Sequence, residues 1–205
     1  MGLTQAEKKE AVARAAAALV EPGMRLGLGT GSTVMPFLEA ISGKQGLRGT
    51  ATSEVTAQRA VALGIIIEPL GGRYDLCVDG ADQVSSTLDL IKGGGGAHVR
   101  EKLVATLSDR LVVVCDDTKL VSILHGPVPI AVIPFAGPLY DEARPALDDN
   151  GLLIVDMPAA DITDPIAWDR EMCARPGVVA TGIYPGAWVE QVLVAGDDGV
   201  RILRG

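Results

Sequence analysis

The stretch "IKGGGGAHVREKLVATLSDRLVVVCDDTKLV", residues 91–121, decides the fold. Its middle, "AHVREKLVATL", reads as a helix. "RLVVVC" then reads as a strand apolar enough to be buried on both faces, as strands of parallel sheets are. The strand ends abruptly in the polar "DDTK". Working back toward the N-terminus, the same alternation repeats. Strands are expected at "MRLGLG" (24–29), "LRGTATS" (47–53), "IIIEPL" (65–70) and "DLCV" (75–78). Helices are expected at "STVMPFLEAI" (32–41), with Pro36 near its first turn, and "EVTAQRAVAL" (54–63), with Gly64 as its C-cap glycine. An Ala-rich first helix opens on the capping box Thr4–Glu7, runs to Leu19 and stops at "EPG". Strands alternating with helices define βαβ units and a parallel sheet.

The pattern changes near Gly126. "PVPIAVIP" reads as a linker entering a strand. A helix-like "LYDEARPAL" (139–147), the strand "GLLIVDM", the helix-like "DPIAWDREMCA" and the strand "GVVATGIY" follow. These fit a small α+β unit with a mixed or antiparallel sheet. "VEQVLVAGDDGVRIL" closes the chain as two strands joined by the turn "GDDG". The expected fold is therefore α/β, a mostly parallel sheet with flanking helices plus a smaller α+β domain. No internal repeat or low-complexity tract is visible.

Composition narrows the function. Nearly half of the 205 residues are hydrophobic and few are aromatic, so the core is aliphatic. The net charge is −8 and no basic block occurs. Nucleic-acid binding needs clustered Lys and Arg, so no nucleic-acid partner is expected. A small phosphorylated ligand needs only one local lysine and a few backbone N–H groups. Cys77, Cys115 and Cys173 are widely spaced and form no CxxC, so they are read as buried apolar residues rather than disulfide or zinc ligands. The N-terminus mixes charge into its apolar positions, unlike a signal peptide, and no apolar run reaches the ~20 residues of a membrane span. A soluble, cytoplasmic protein with no membrane partner is expected.

The polar clusters fall at the ends of the expected strands, the edge where α/β folds bind ligands. "GLGTGST" (27–33) joins a strand to a helix and places Thr30, Ser32 and Thr33 beside free N–H groups at a helix start, which suits an anion. It is neither a P-loop nor a clean GxGxxG, and its hydroxyls favour a monophosphate; a plain capped turn is the alternative. In "CVDGADQV", Asp79 and Asp82 lie close enough to repel, which tends to raise one pKa and suits proton handling. Turn-forming aspartates give the same pattern. In the opening stretch, Lys92 precedes Gly93 to Gly96, whose backbone can approach a ligand without Cβ interference, and Glu101 sits in the first turns of the next helix. In "CDDTKLV", Asp116 and Lys119 stand at another strand end. His98 and His125 have no neighbouring nucleophile. Together the clusters describe a polar pocket with a phosphate site, several carboxylates and a lysine, and without metal-ligand spacing.

"GLGTGST", "VDGAD", "IKGGGGA" followed by "REKLVA", and "CDDTKLV" occur in the order and approximate spacing of the type A ribose-5-phosphate isomerase family, which the chain resembles over nearly its whole length. The N-terminal "KKEAVARAA" and "PGVVATGIY" are similar in character. The resemblance implies a Rossmann-like catalytic domain at 1–125 and 188–205 and a shortened ferredoxin-like α+β domain at 126–187. It implies an aldose–ketose isomerase that interconverts ribose 5-phosphate and ribulose 5-phosphate through an enediolate, with no metal or cofactor.

Carried over by residue, it implies that Thr30, Gly31, Ser32, Thr33, Asp79, Gly80, Ala81, Asp82, Lys92, Gly93, Gly94 and Gly95 line the substrate site. Lys9 and Lys119 would help hold the substrate. Glu101 matches the proton acceptor, with Asp79, Asp82 and Lys92 assisting catalysis. The sequence departs from the family at Gln83, where glutamate is usual, at "YPGAWVEQ", and at 135–152, which is short enough to suggest a missing strand or part of a helix. A homodimer is implied. A related sugar-phosphate isomerase or deaminase and a non-catalytic sugar-phosphate sensor are the alternative readings.

Overall fold

The computed structural model describes residues 2–140 and 143–205. Helix α1 (Gln5–Ala17) opens on the expected capping box: the Thr4 hydroxyl accepts the Glu7 N–H, and the Glu7 carboxylate accepts the Thr4 N–H. Then come β1 (Arg25–Leu28), α2 (Val34–Ile41), β2 (Arg48–Ala51) and α3 (Glu54–Ala62). Gly64 ends α3 at φ +81°, and the Ile65 N–H donates back to the Ala60 carbonyl. The strand expected over 65–70 shrinks to β3 (Ile66–Ile67). Beyond it lie β4 (Leu76–Asp79), the pair β5 (Gln83–Val84) and β6 (Leu90–Ile91), α4 (His98–Thr106) and β7 (Leu111–Asp116).

The second half holds β8 (Leu124–His125), β9 (Val128–Val132), β10 (Ala143–Leu147), β11 (Leu153–Met157), β12 (Asp161–Ile162), α5 (Pro165–Cys173), β13 (Val178–Thr181) and β14 (Ile183–Tyr184). The chain ends with β15 (Val189–Gly196) and β16 (Gly199–Leu203). One expectation is overturned here. "LYDEARPAL" is not a helix: its last five residues form β10, while Asp141 and Glu142 lie outside the described residues. Pro145 explains this, because proline clashes with a helical predecessor and pushes Arg144 into extended geometry. The segment 135–152 thus supplies a strand of the small sheet, which runs β10-β11-β9-β13 with every neighbour antiparallel.

The large sheet has the order β16-β15-β7-β4-β1-β2-β3. All its pairs are parallel except the edge hairpin β15–β16. Side chains alternate between two cores, as the period of two requires. Leu76, Val78, Val112 and Val114 join α1 and α2 on one face, where Phe37 is fully buried. Cys77, Leu111, Val113 and Cys115 face the other way, toward Val104 of α4 and Tyr184 of β14. Cys77 and Cys115 are buried as expected, but Cys173 at the end of α5 is exposed. No helix among the described residues is long and apolar enough to cross a membrane.

The chain leaves β1 toward β2 and β3 on one side, then returns to place β4 and β7 on the other. The C-terminal ends of β1 and β4 therefore bound a topological switch point, the crevice where such sheets bind ligands. Phe37 seats α2 against the sheet at this point. Phe37→Ala is expected to cost about 3–5 kcal/mol, read as a lower urea midpoint with an unchanged slope.

Candidate active site

The loop from β1 to α2 forms one wall of the crevice. The N–H groups of Gly31, Ser32 and Thr33 donate to nothing among the described residues, and they precede a helix whose dipole is positive at this end. Lys9 reaches across from α1 and donates to the Ser32 hydroxyl at 2.8 Å. Free N–H groups, hydroxyls and an ammonium together make an anion cradle. Thr30 differs from its neighbours. Its hydroxyl lies 2.7 Å from that of Thr52 and 3.4 Å from that of Thr56, and Thr56 in turn donates to the Gly29 carbonyl. This buried hydroxyl chain fixes the loop from behind, and no motif in the sequence announces it.

Beneath the crevice three charges are buried together. Asp79, Lys92 and Glu101 are 1%, 3% and 3% exposed. Asp79 ends β4 and accepts the N–H groups of Thr30 (3.2 Å) and Gly80 (2.8 Å) on one oxygen, while the other meets Lys92 Nζ at 2.9 Å. Its carboxylate lies over the end of β1 only because residue 29 is glycine: a Cβ there would stand 2.1 Å from Asp79 Oδ1. Lys92 also donates to the Gly80 carbonyl at 2.6 Å. Burial pulls the Lys92 pKa down, but Asp79 and then Glu101 outweigh it and the net shift is upward.

Glu101 Oε2 lies 3.5 Å from Lys92 Nζ. At that distance the attraction is Coulombic rather than a formed hydrogen bond, and Oε2 has no hydrogen-bond partner. Burial raises the Glu101 pKa to about 8, against the pull of Lys92 and with the help of Asp79 and Asp82. One cation thus serves two carboxylates: Asp79 takes the short contact and Glu101 is left able to hold a proton near neutral pH.

The glycine run forms the third wall. The Gly94 N–H donates to Asp82 Oδ2 at 2.8 Å, and a Cβ at Gly94 would come within 2.7 Å of that carboxylate. The Gly96 N–H donates to the Gly93 carbonyl. The Gly93 and Gly95 N–H groups donate to nothing among the described residues.

Thr30, Gly31, Ser32, Thr33, Gly80, Ala81, Asp82, Lys92, Gly93, Gly94, Gly95, Glu101 and Lys119 line a single cavity of about 150 Å³. Lys9 stands at its rim through Ser32, and Asp79 lies under Lys92 rather than on the surface of the cavity. Asp116 turns away to accept the N–H of Thr118. His98 is buried, with one ring nitrogen 3.0 Å from the Pro129 carbonyl oxygen, and burial lowers its pKa to about 4. Gln83 uses both ends of its amide on the backbone of His125, donating to the carbonyl (2.9 Å) and accepting the N–H (3.1 Å). A glutamate could not donate there. Tyr184 was not singled out in the sequence. It packs its ring 5.5 Å from both Lys92 and Lys102.

An anion cradle faces a buried carboxyl that can exchange a proton near neutral pH, on the switch point of a parallel sheet. This fold and site define an α/β protein that can hold an anion beside a group able to carry a proton. The profile of the ribose 5-phosphate isomerase A (phosphoriboisomerase A) family matches residues 48–142. A relative from Natronomonas pharaonis, ribose-5-phosphate isomerase A, is 40% identical over 223 aligned positions, covering 98% of each chain. The crystal structure of ribose 5-phosphate isomerase A from Neisseria gonorrhoeae superposes with a TM-score of 0.95 at 30% identity, covering 100% of this chain and 99% of that one. A D-ribose-5-phosphate isomerase in complex with phospho-erythronic acid gives a TM-score of 0.93 at 32% identity, over 99% and 100% of the two chains. The chain belongs to the ribose-5-phosphate isomerase A family.

The raised pKa of Glu101 has a consequence for stability. Between its unfolded value near 4.5 and about 8, the folded chain holds a proton that the unfolded chain has lost. Stability contributed by this group is full below the lower value and is lost as pH rises through the upper one. Glu101→Gln removes that loss. The variant is therefore expected to melt higher than wild type at pH 9 and near it at pH 4.5, with each 1 kcal/mol worth about 2–4 °C in a chain of this size. Melting curves at the two pH values check it.

Proposed function

We propose that this chain interconverts ribose 5-phosphate and ribulose 5-phosphate with Glu101 as the proton carrier. The observation that carries the assignment is the buried Glu101 carboxyl, raised to about 8 and lining the same cavity as the anion cradle. In the open-chain aldose, Glu101 takes the proton from C2. The electrons of that C–H bond form the C1=C2 double bond of an enediolate, and charge develops on O1. Glu101 then returns the proton to C1 while the proton of the C2 hydroxyl passes to O1, leaving the C2 carbonyl and C1 hydroxyl of the ketose. Lys92 and the Gly93 and Gly95 N–H groups are placed to stabilise the developing oxyanion, at ~3 kcal/mol per donor. Asp82, on the cavity wall, opens the furanose ring and moves protons between oxygens, with Asp79 holding Lys92 in place; a positioned acid–base group contributes ~10²–10⁴-fold.

The Gly31, Ser32 and Thr33 N–H groups, with Lys9 and Lys119, take the phosphate. Their binding energy is available to orient carbons that are remote from the phosphate. Residues 1–125 and 188–205 form the catalytic domain in this reading, and 126–187 form the smaller one. The acidic net charge of −8 supports an enzyme that binds no nucleic acid.

A coupled assay with ribose 5-phosphate and no added metal tests the function. Wild type is expected to turn over, with kcat/KM rising with pH through about 8 as Glu101 loses its proton. Glu101→Gln is expected to lose on the order of 10²–10⁴-fold in kcat with KM little changed, and Lys119→Ala to raise KM instead. Full activity in Glu101→Gln sinks the assignment. We further propose that the chain is a homodimer, which a sedimentation experiment at micromolar concentration would show as a single species of twice the chain mass.

A further inference from the structure

One charged side chain of the small sheet reaches the active-site wall, and the mechanism above does not use it. Arg144, in β10, lays a fork on Asp156 of β11: Nε donates to Oδ2 at 2.7 Å and Nη2 to Oδ1 at 2.6 Å. Its remaining nitrogen, Nη1, donates to the carbonyls of Gly94 (3.0 Å) and Gly93 (3.3 Å). Arg144 holds the Asp156 carboxyl below the usual carboxylate range, so the fork stays charged at neutral pH.

The amide between Gly93 and Gly94 is therefore gripped at both ends. Its carbonyl accepts from the Arg144 guanidinium outside the cavity. Its N–H donates to Asp82 Oδ2 at 2.8 Å on the cavity side. A cation on the oxygen and an anion on the N–H polarise the same amide in the same sense and strengthen both bonds. Glycine has no side chain with which to lock its own backbone, so a run of four depends on outside contacts for its shape. Lysine, a point charge, cannot fork onto a carboxylate and still donate along the fork's far edge.

We infer that Arg144 is a positioning residue of the isomerase reaction: through the Gly93–Gly94 amide it fixes the Asp82 carboxylate against the substrate. Asp156 holds Arg144 for that task. Arg144 is absent from the lining of the substrate cavity, so it contributes to the geometry of turnover and not to the phosphate grip.

The inference rests on the isomerase reading, so wild type is assayed alongside each variant. Arg144→Ala is expected to lower kcat about ten- to a hundredfold, the scale of a sub-ångström to ångström misplacement, with KM within about twofold. Millimolar guanidinium is expected to restore part of the lost kcat, because the vacated site is partly open to solvent. Arg144→Lys, which keeps the charge without the fork, is expected to fall between. If Arg144→Ala does not fold, Asp156→Asn carries the test: it loosens the fork with the guanidinium still present, and the same fall in kcat at constant KM is expected. A residue that only joined β10 to β11 would lower the melting temperature and leave kcat alone. A kcat within twofold of wild type in a folded variant, or a loss confined to KM, overturns the inference. A wild-type chain that does not turn over ribose 5-phosphate overturns the isomerase reading and this inference together.

Discussion

A single buried ammonium, Lys92, sets the terms for the rest of the site. It is asked to neutralise two carboxylates in a place almost free of solvent, and it can neutralise only one. Burying an unpaired charge is far more costly than burying a paired one. The site resolves the conflict by geometry. Asp79 lies at 2.9 Å with backbone N–H groups to complete its shell, and Glu101 lies at 3.5 Å with one oxygen unpartnered. The asymmetry gives Asp79 the short contact and leaves the Glu101 carboxyl with a raised pKa. Nothing in the side-chain chemistry of the two acids distinguishes them in advance; the distances do.

Three separate elements must arrive in register for this to work. Asp79 ends β4, Lys92 follows β6, and Glu101 stands one turn into α4. β6 is held on its other side by β14, whose Tyr184 presses its ring against Lys92 and Lys102. The small sheet then braces the glycine run from outside through Arg144. The three charges stand on β4, just after β6 and on α4, while part of their alignment comes from residues that lie far away in the sequence.

That division explains what could be read from the sequence. The strand "RLVVVC", the clusters at strand ends and the capping box are local signals, and each lands where the pattern places it. The cavity collects most of the residues in those clusters, with Asp79 just outside its lining and Asp116 turned away. The failures are of another kind. "LYDEARPAL" has helical composition, and only the Arg144–Pro145 step betrays a strand. The strand pairs β5–β6 and β8–β12 are two residues each and owe their geometry to partners distant in sequence. The Thr30–Thr52–Thr56 hydroxyls, the fork of Arg144 and the ring of Tyr184 are tertiary contacts with no periodicity to reveal them. The rise in the Glu101 pKa is equally invisible, since a glutamate in the first turns of a helix is by itself an ordinary surface residue.

The placement of β15 bears on how the molecule is made. β15 lies between β7 and the edge strand β16, although it is almost the last segment of the chain. α1, among the first, packs on β7, β15 and β16 and is tied by Lys8 to Asp117 and Asp197. The N-terminal helix therefore has no complete surface to dock on until β15 and β16 are in place. Pairings this distant are slow to form, because the loop must close before the contact stabilises it. The ammonium of Lys9 rides on that helix, so the anion cradle depends on strands nearly two hundred residues further along the chain.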